Sequence, residues 1–250
     1  MSSFEVKDLK ELATPVSRGN LSGSPCSACA VRHMALCAVL EPDELSEMSS
    51  ISTSIELCPG DPLFDEAEPA EHMFNVTAGS MKIYKLLADG RRQVTGFLFP
   101  GDFLGLAHDS NYAYSAEAVT HVTLCRFPRR KLEALLHRFP KLETRLLGIA
   151  GHELAAAQEQ MVVLGRKTAR EKIASFLLSL GRQAVRRGQS DNPVAVPMSR
   201  ADIGDYLGLT TETVSRTFTQ LKSDGVIRLL SAGKVELLDR DGLESLSEGL

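Results

Sequence analysis

Three cysteines near the N-terminus form the densest group of reactive side chains in the sequence. Cys26, Cys29 and Cys37 follow a C-x2-C-x7-C spacing, whereas Cys58 and Cys125 lie far downstream. Clustered thiolates bind soft metal ions and iron–sulfur clusters. The spacing therefore predicts a metal site, and at this point zinc and iron are both open.

Composition predicts a cytoplasmic protein whose thiols stay reduced. The longest purely apolar run, residues 34–40, is far too short to cross a membrane. Residues 1–25 carry three acidic side chains and no apolar segment, so they are expected to form a flexible arm rather than a secretory signal. A disulfide framework and a membrane partner are therefore not expected.

Short β-type runs alternate with turn signals between residues 53 and 128. Asp89-Gly90 is typical of a hairpin, and Pro-Gly-Asp turns occur at 59–61 and 100–102. The predicted strands are 54–57, 72–76, 81–87, 93–99, 112–119 and 122–127. Strands at this regular spacing predict a small antiparallel roll or barrel.

A long helix is predicted from Pro140 to about residue 165. Its apolar residues recur at alternating spacings of three and four, as in the seam of a coiled coil. The seam residues are Leu147, Ala150, Leu154, Ala157, Met161 and Leu164. The strict spacing favours a homodimer seam, and a helix buried inside a monomer is the alternative.

The C-terminal third predicts a winged helix. An S-x-x-D capping box at 199–202 opens one helix, a turn with Gly208 follows, and a second helix is predicted over 211–223. Two β-type runs at 226–230 and 234–238 predict the wing. The region 166–187 is strongly basic although the net charge is −4, which fits either docking on DNA or a solvated helix face.

The second helix presents hydrogen-bonding side chains away from its apolar face. Arg216 can bond a guanine edge through two donors, Glu212 can accept from a cytosine amino group, and Thr211 and Ser215 tolerate several bases. These residues are therefore the candidate DNA-reading residues. A helix pair used only for packing is the alternative, which the hydrogen-bonding side chains disfavour.

This order of parts resembles the FNR-type oxygen-sensing regulators of the CRP/FNR superfamily. The resemblance is carried by QVTGF at 93–97, PGD at 100–102, RADIGDYLGLT at 200–210 and ETVSR at 212–216, which is similar to the E-x-x-S-R reading motif of that family. It implies an α+β fold with a cyclic-nucleotide-binding-like β-roll, a long dimerisation helix and a winged helix-turn-helix. It also implies a dimer that reads a TTGAT-N4-ATCAA-like palindrome and activates anaerobic genes by touching RNA polymerase.

The resemblance also implies a ligand set for a 4Fe–4S cluster. Cys26, Cys29 and Cys37 match the three N-terminal ligands, and Cys125 matches the fourth by its place in the last β-run. The best-known members have five residues before the third cysteine, whereas this chain has seven. Cys58 is expected to be a structural thiol, and a four-thiolate zinc site is the alternative.

Three other functions are disfavoured. Cyclic-nucleotide control is not expected, because Leu106 and Tyr114 stand where the related branch has its ribose-binding Glu and phosphate-binding Arg. An electron carrier would leave the winged helix unexplained. The histidines show no catalytic or metal-ligand spacing, so an enzyme is not expected.

The expected domains follow from these parts. Residues 1–40 form the arm and cluster-binding segment, 41–136 the β-roll, 137–165 the dimerisation helix and 166–250 the winged-helix domain. By the resemblance, the hairpin tip at 87–92 is the candidate contact with RNA polymerase.

Overall fold

A computed structural model describes residues 26, 29–106, 110–231 and 233–249 of the chain. The predicted flexible arm, residues 1–25, lies outside these ranges. The predicted α+β architecture is confirmed, with a β-roll, a long helix and a C-terminal winged helix in that order. No helix in the described ranges has the combination of length and apolar character needed to span a membrane.

The described elements have the following bounds. The helices are α1 (Pro42–Ile51), α2 (Arg129–Arg138), α3 (Pro140–Arg166), α4 (Ala169–Arg186), α5 (Arg200–Leu207), α6 (Thr211–Ser223) and α7 (Arg240–Glu248). The strands of the roll are β1 (Thr53–Leu57), β2 (Pro62–Phe64), β3 (His72–Ala78), β4 (Met81–Leu86), β5 (Arg92–Leu98), β6 (Phe103–Leu104), β7 (Ser115–Ala118) and β8 (Val122–Pro128). The strands of the wing are β9 (Val194–Ala195), β10 (Ile227–Leu229) and β11 (Lys234–Leu237).

The roll consists of two antiparallel four-stranded sheets, ordered β1-β8-β3-β6 and β2-β7-β4-β5. Its apolar core lies between them and includes Phe74, Val76, Met81 and Leu124. Five of the six predicted strands are present with shifts of one or two residues at their ends, whereas the predicted strand 112–119 is shortened to β7. The short strands β2 and β6 were not predicted, because three and two residues are too few to show a period of two.

Helix α3 extends over 27 residues, yet Leu142 is its only buried side chain in the described chain. Leu147, Leu154 and Met161 are 74%, 60% and 68% exposed. These three residues belong to the predicted seam. An isolated chain thus leaves a long apolar edge in water, which is typical of a surface that packs against a partner.

Local sequence determines the winged helix. The Ser199 side chain caps α5 by accepting from the Asp202 backbone N–H, and Gly208 ends the helix at φ 63° and ψ 44°. This left-handed conformation favours glycine because it has no Cβ. The observed α6 has the predicted bounds, whereas β9 and α7 were not predicted.

A buried ionic cluster joins the roll to the winged helix. Lys82 on β4 lies 2.8 Å from both Asp202 on α5 and Glu117 on β7. Arg92 on β5 lies 2.9 Å from Asp202 and 2.9 Å from Asp205. The orientation of α5 on the roll is therefore set by charged side chains as well as by apolar packing.

Candidate metal centre and nucleic-acid interface

The four predicted cysteine ligands line one cavity of about 220 Å³. Cys26, Cys29 and Cys37 come from the N-terminal segment, and Cys125 comes from β8. Cys58 is not among the residues that line this cavity: it is exposed after β1, where its backbone N–H donates to the Asp61 carboxylate at 2.8 Å. The structure thus groups the four cysteines and separates the fifth.

Residues 29–40, the cysteine segment, fold back on themselves. The backbone N–H of Arg32 donates to Cys29 O at 3.3 Å, and the Arg32 guanidinium donates to Leu40 O at 3.1 Å. Leu36 and Leu40 are buried and anchor the segment. These turns return Cys37 to the cavity, so the seven-residue spacing is compatible with a shared site.

Strand register places Cys125 in a polar row. Ser54 on β1 and Asn75 on β3 are its partners on the two neighbouring strands. Side chains at paired positions of an antiparallel sheet project to the same face. All three line the cavity, so the sheet supplies one thiol flanked by two hydrogen-bonding groups.

Burial and mutual repulsion disfavour thiolates in the cavity. Burial raises the pKa of Cys37 to about 12, and the neighbouring Cys26, Cys29 and Cys125 add to the shift. Burial likewise raises the pKa of Cys125 to about 11, with Cys29 and Cys26 contributing. Four thiolates can therefore share this cavity only around a positively charged metal or cluster core, whose binding releases their protons.

Two kinds of metal centre use four thiolates. In the described residues, no group of three or more Cys, His, Asp or Glu is arranged to hold a metal ion as it stands. A zinc ion with Zn–S bonds of ~2.3 Å requires thiolates about 3.8 Å apart. A 4Fe–4S cluster places each thiolate on a different iron. Four thiols around a cavity of about 220 Å³ are the donor set of either centre.

The cavity borders an apolar cluster that also contacts the long helix. Cys26, Cys37 and Cys125 pack against the same apolar cluster as Leu142 and Leu146 of α3. The Arg145 guanidinium of α3 also donates to Met34 O in the cysteine segment at 2.7 Å. Sequence reasoning missed this contact, because an arginine and a backbone carbonyl 111 positions apart leave no sequence pattern.

Aromatic side chains fill the region of the roll where a cyclic nucleotide would bind in the related branch. The rings of Phe64 and Tyr112 stack with centroids 3.7 Å apart, and Tyr114 lies 5.8 Å from Phe64. The Tyr114 hydroxyl accepts from Gly105 N at 3.2 Å. Tyr114 thus makes structural contacts where the related branch has a phosphate-binding cation. The expected lack of cyclic-nucleotide binding stays a prediction.

Helix α6 presents the predicted DNA-reading residues to solvent. Its buried face consists of Val214, Thr217, Phe218 and Leu221. The predicted reading residues Thr211, Glu212, Ser215 and Arg216 are all exposed. A hydrogen bond from its own backbone N–H lowers the pKa of Glu212, so its carboxylate is an acceptor at neutral pH. The helix therefore offers donors and acceptors on one accessible face.

Comparisons with known proteins agree with this architecture. Residues 54–139 match the cyclic nucleotide-binding domain family, and residues 171–246 match the Crp-like helix-turn-helix domain family. The nitrogen fixation regulation protein FixK of Bradyrhizobium diazoefficiens is 41% identical over 226 residues, covering 90% of this chain and 95% of the relative. The transcriptional activator protein FnrL of Cereibacter sphaeroides is 37% identical over 227 residues, covering 89% of this chain and 91% of the relative.

A solved structure has the same fold. FixK2 from Bradyrhizobium japonicum superposes with a TM-score of 0.73 at 37% identity, covering 78% of this chain and 97% of that one. The relatives are transcription regulators, so the prediction that this chain is not an enzyme is confirmed. The chain belongs to the CRP/FNR family of transcription regulators, among its FNR-type members.

Proposed function

We propose that this protein is an oxygen-responsive transcription activator that holds a 4Fe–4S cluster on Cys26, Cys29, Cys37 and Cys125. The observation that carries the proposal is the cavity lined by these four thiols, whose apolar lining residues Leu36, Met48 and Phe127 belong to the same apolar cluster as Leu142 of α3. A cluster bound there would supply an oxidisable, oxygen-sensitive centre. The chain supplies the thiolates and the connection from the cavity to the rest of the fold.

The cysteine segment transmits the state of the cavity to α3. With its thiols bound, the segment is held against the roll and against the first half of α3. Release of the thiols removes that anchor, and with it the Arg145 contact and the packing on Leu142. The structural change on loss of the metal centre is therefore expected to begin at the start of α3.

The exposed apolar edge of α3 is the proposed homodimer seam. Leu147, Ala150, Leu154, Ala157, Met161 and Leu164 repeat at heptad spacing along one edge. None of these residues is charged, so pairing two seams desolvates no ionic group. A second copy of the chain is the partner that fits a self-complementary apolar edge.

The dimer would place two α6 helices on successive turns of double-stranded DNA. A two-fold symmetric protein reads a palindrome, and the TTGAT-N4-ATCAA-like sequence is the proposed site. Glu212, Ser215 and Arg216, with Thr211 beside them, would contact base edges. The tip of the β4–β5 hairpin, where Leu86 and Leu87 are 61% and 47% exposed, is the proposed contact with RNA polymerase.

Iron content and visible spectrum test the cluster directly. Protein purified without air is expected to be brown and to contain about four irons per chain. The Cys125→Ala variant should lose both colour and iron, whereas the matched Cys58→Ala variant should keep them, because Cys58 is exposed after β1. A colourless wild-type protein with stoichiometric zinc would contradict the proposal and support the zinc alternative.

A further inference from the structure

A buried polar side chain faces the cysteine cavity with its carbonyl oxygen unpartnered. Asn75 is 3% exposed, and it lines the cavity together with the four thiols. Within the described chain, Asn75 Oδ1 has no hydrogen-bond partner. Native structures rarely leave such a group buried unless a ligand, an ion or a water completes its contacts.

The one hydrogen bond described for the Asn75 side chain is redundant for the fold. Nδ2 donates to Val76 O at 3.1 Å. That carbonyl already accepts from Gly101 N at 2.9 Å. Two other polar side chains of the wall differ, because Arg32 and Thr77 donate to the carbonyls of Leu40 and Thr123. The amide of Asn75 is therefore available to a ligand.

Strand register directs this amide at the fourth thiol. Asn75 on β3 is paired with Cys125 on β8, and both side chains line the cavity. An anionic centre built from thiolates and sulfides repels a carbonyl oxygen and attracts N–H groups. Turning a side-chain amide is easy because its terminal torsion is broad. Bound sulfur would thus draw the N–H groups of Asn75 toward it.

We infer that Asn75 donates a hydrogen bond to the Cys125 sulfur or to an adjacent cluster sulfur and thereby slows oxidation of the cluster. The inference rests on the proposed function. Hydrogen bonds to the sulfurs favour the more negatively charged, reduced state and raise the reduction potential. Asn75 is a positioning residue: it binds no iron, and it sets how readily the cluster gives up electrons.

The test compares Asn75→Leu with Thr77→Val, both prepared without air. Asn75→Leu removes the donor and keeps the branched shape with the same number of heavy atoms, whereas Thr77→Val removes a hydroxyl of the same wall that already donates to Thr123 O. Iron content, midpoint potential and the rate of bleaching in air are measured. Asn75→Leu should keep its iron, have a lower potential and bleach about fivefold faster or more, since a hydrogen bond to a charged group is lost. Thr77→Val should behave like wild type.

Two further measurements separate this role from a structural one. The cluster-free Asn75→Leu protein should melt no lower than cluster-free wild type, because the substitution removes an unsatisfied buried group. Asn75→Ser, which keeps a donor, should bleach more slowly than Asn75→Leu. Wild-type potential and bleaching rate in an iron-loaded Asn75→Leu protein would overturn the inference, as would a lower melting temperature of its cluster-free form. Wild-type protein that binds no iron would instead overturn the proposed function.

Discussion

The cysteine cavity and the reading helix α6 are built in opposite ways. The cavity takes its thiols from the N-terminal segment and from β8, so it exists only when that segment docks on the roll. The reading face lies on 13 contiguous residues capped by Thr210, so it exists whenever α6 folds. Under the proposed function, a signal at the cavity would change where the reading helices are held, and the bases that they contact would stay the same.

Two connections lie between these regions, and each can be broken separately. Helix α3 packs against the cysteine segment at its start and carries the seam along its length. The ionic cluster around Asp202 fixes α5, the neighbour of the reading helix, to the roll. Substitutions in α3 or in the ionic cluster should change how the two regions are held together. Substitutions on α6 should change only the contacts that this helix makes.

The largest expected effect is that of Leu154→Glu in the seam on the dimer dissociation constant. Leu154 is 60% exposed in the single chain and would be buried against its symmetry mate in the dimer. Burying two uncompensated carboxylates should raise the dimer dissociation constant about 100-fold or more. Sedimentation of the anaerobic protein measures it.

His152→Glu is the matched control on the same helix. His152 is exposed and lies two residues from Leu154, which places it on the other side of α3. The same charge there should leave the dimer dissociation constant within about threefold of wild type, as for an exposed charge. Equal weakening by both variants would contradict the assigned seam.

The next largest effect is expected from Asp202→Asn, which lies between the roll and α5 and should lower the free energy of unfolding. Breaking a buried ion pair costs about 3–5 kcal/mol. The ion pairs Lys82–Glu117 and Arg92–Asp205 remain in this variant. The free energy of unfolding should therefore fall by about 2–3 kcal/mol. Asp205→Asn, at a more exposed site, should cost less than about 1 kcal/mol. Chemical denaturation compares the two, and a smaller loss for Asp202→Asn would show that apolar packing alone holds the junction.

The contribution of Asp202 to the free energy of unfolding should decrease at acidic pH. Burial alone raises the pKa of Asp202, but hydrogen bonds from Lys82 and Ser199 outweigh it and keep the pKa below 3.8. A carboxyl group whose pKa is lowered by folding stabilises the protein above its unfolded pKa, and that stability is lost as the pH falls. The difference between wild type and Asp202→Asn should therefore be constant between about pH 5 and 8 and shrink below about pH 4.

The smallest effect on the whole molecule is expected from Arg216→Ala on α6. Arg216 is exposed, so the unfolding free energy should change by less than about 0.5 kcal/mol. Binding should lose about 1–3 kcal/mol and relax its preference at one base pair. Lys222→Ala, at the end of the same helix, is the comparison for a phosphate contact. If Arg216→Ala weakened binding equally on all DNA sequences, Arg216 would contact the DNA backbone and not a base edge.

The sequence predicts features that depend on neighbouring residues, but it does not predict contacts between distant residues. The bounds of α6 were predicted correctly, because the Thr210 cap, the Asp224-Gly225 end and the apolar spacing are all local signals. The contact of Lys82 with Asp202 joins residues 120 positions apart, and no periodicity reports such a pair. Asn75 had one weak signal, a polar side chain between the apolar Phe74 and Val76 of β3, but its proposed role emerges only from the register with Cys125.

The association state of one anaerobic sample, before and after exposure to air, tests the central claim that the cysteine cavity controls pairing of α3. Sedimentation and visible absorbance are recorded together at micromolar protein. The account predicts a brown dimer that becomes a colourless monomer after exposure, while a sample kept without air stays dimeric. A protein that remains fully dimeric after its colour and iron are lost would contradict the account.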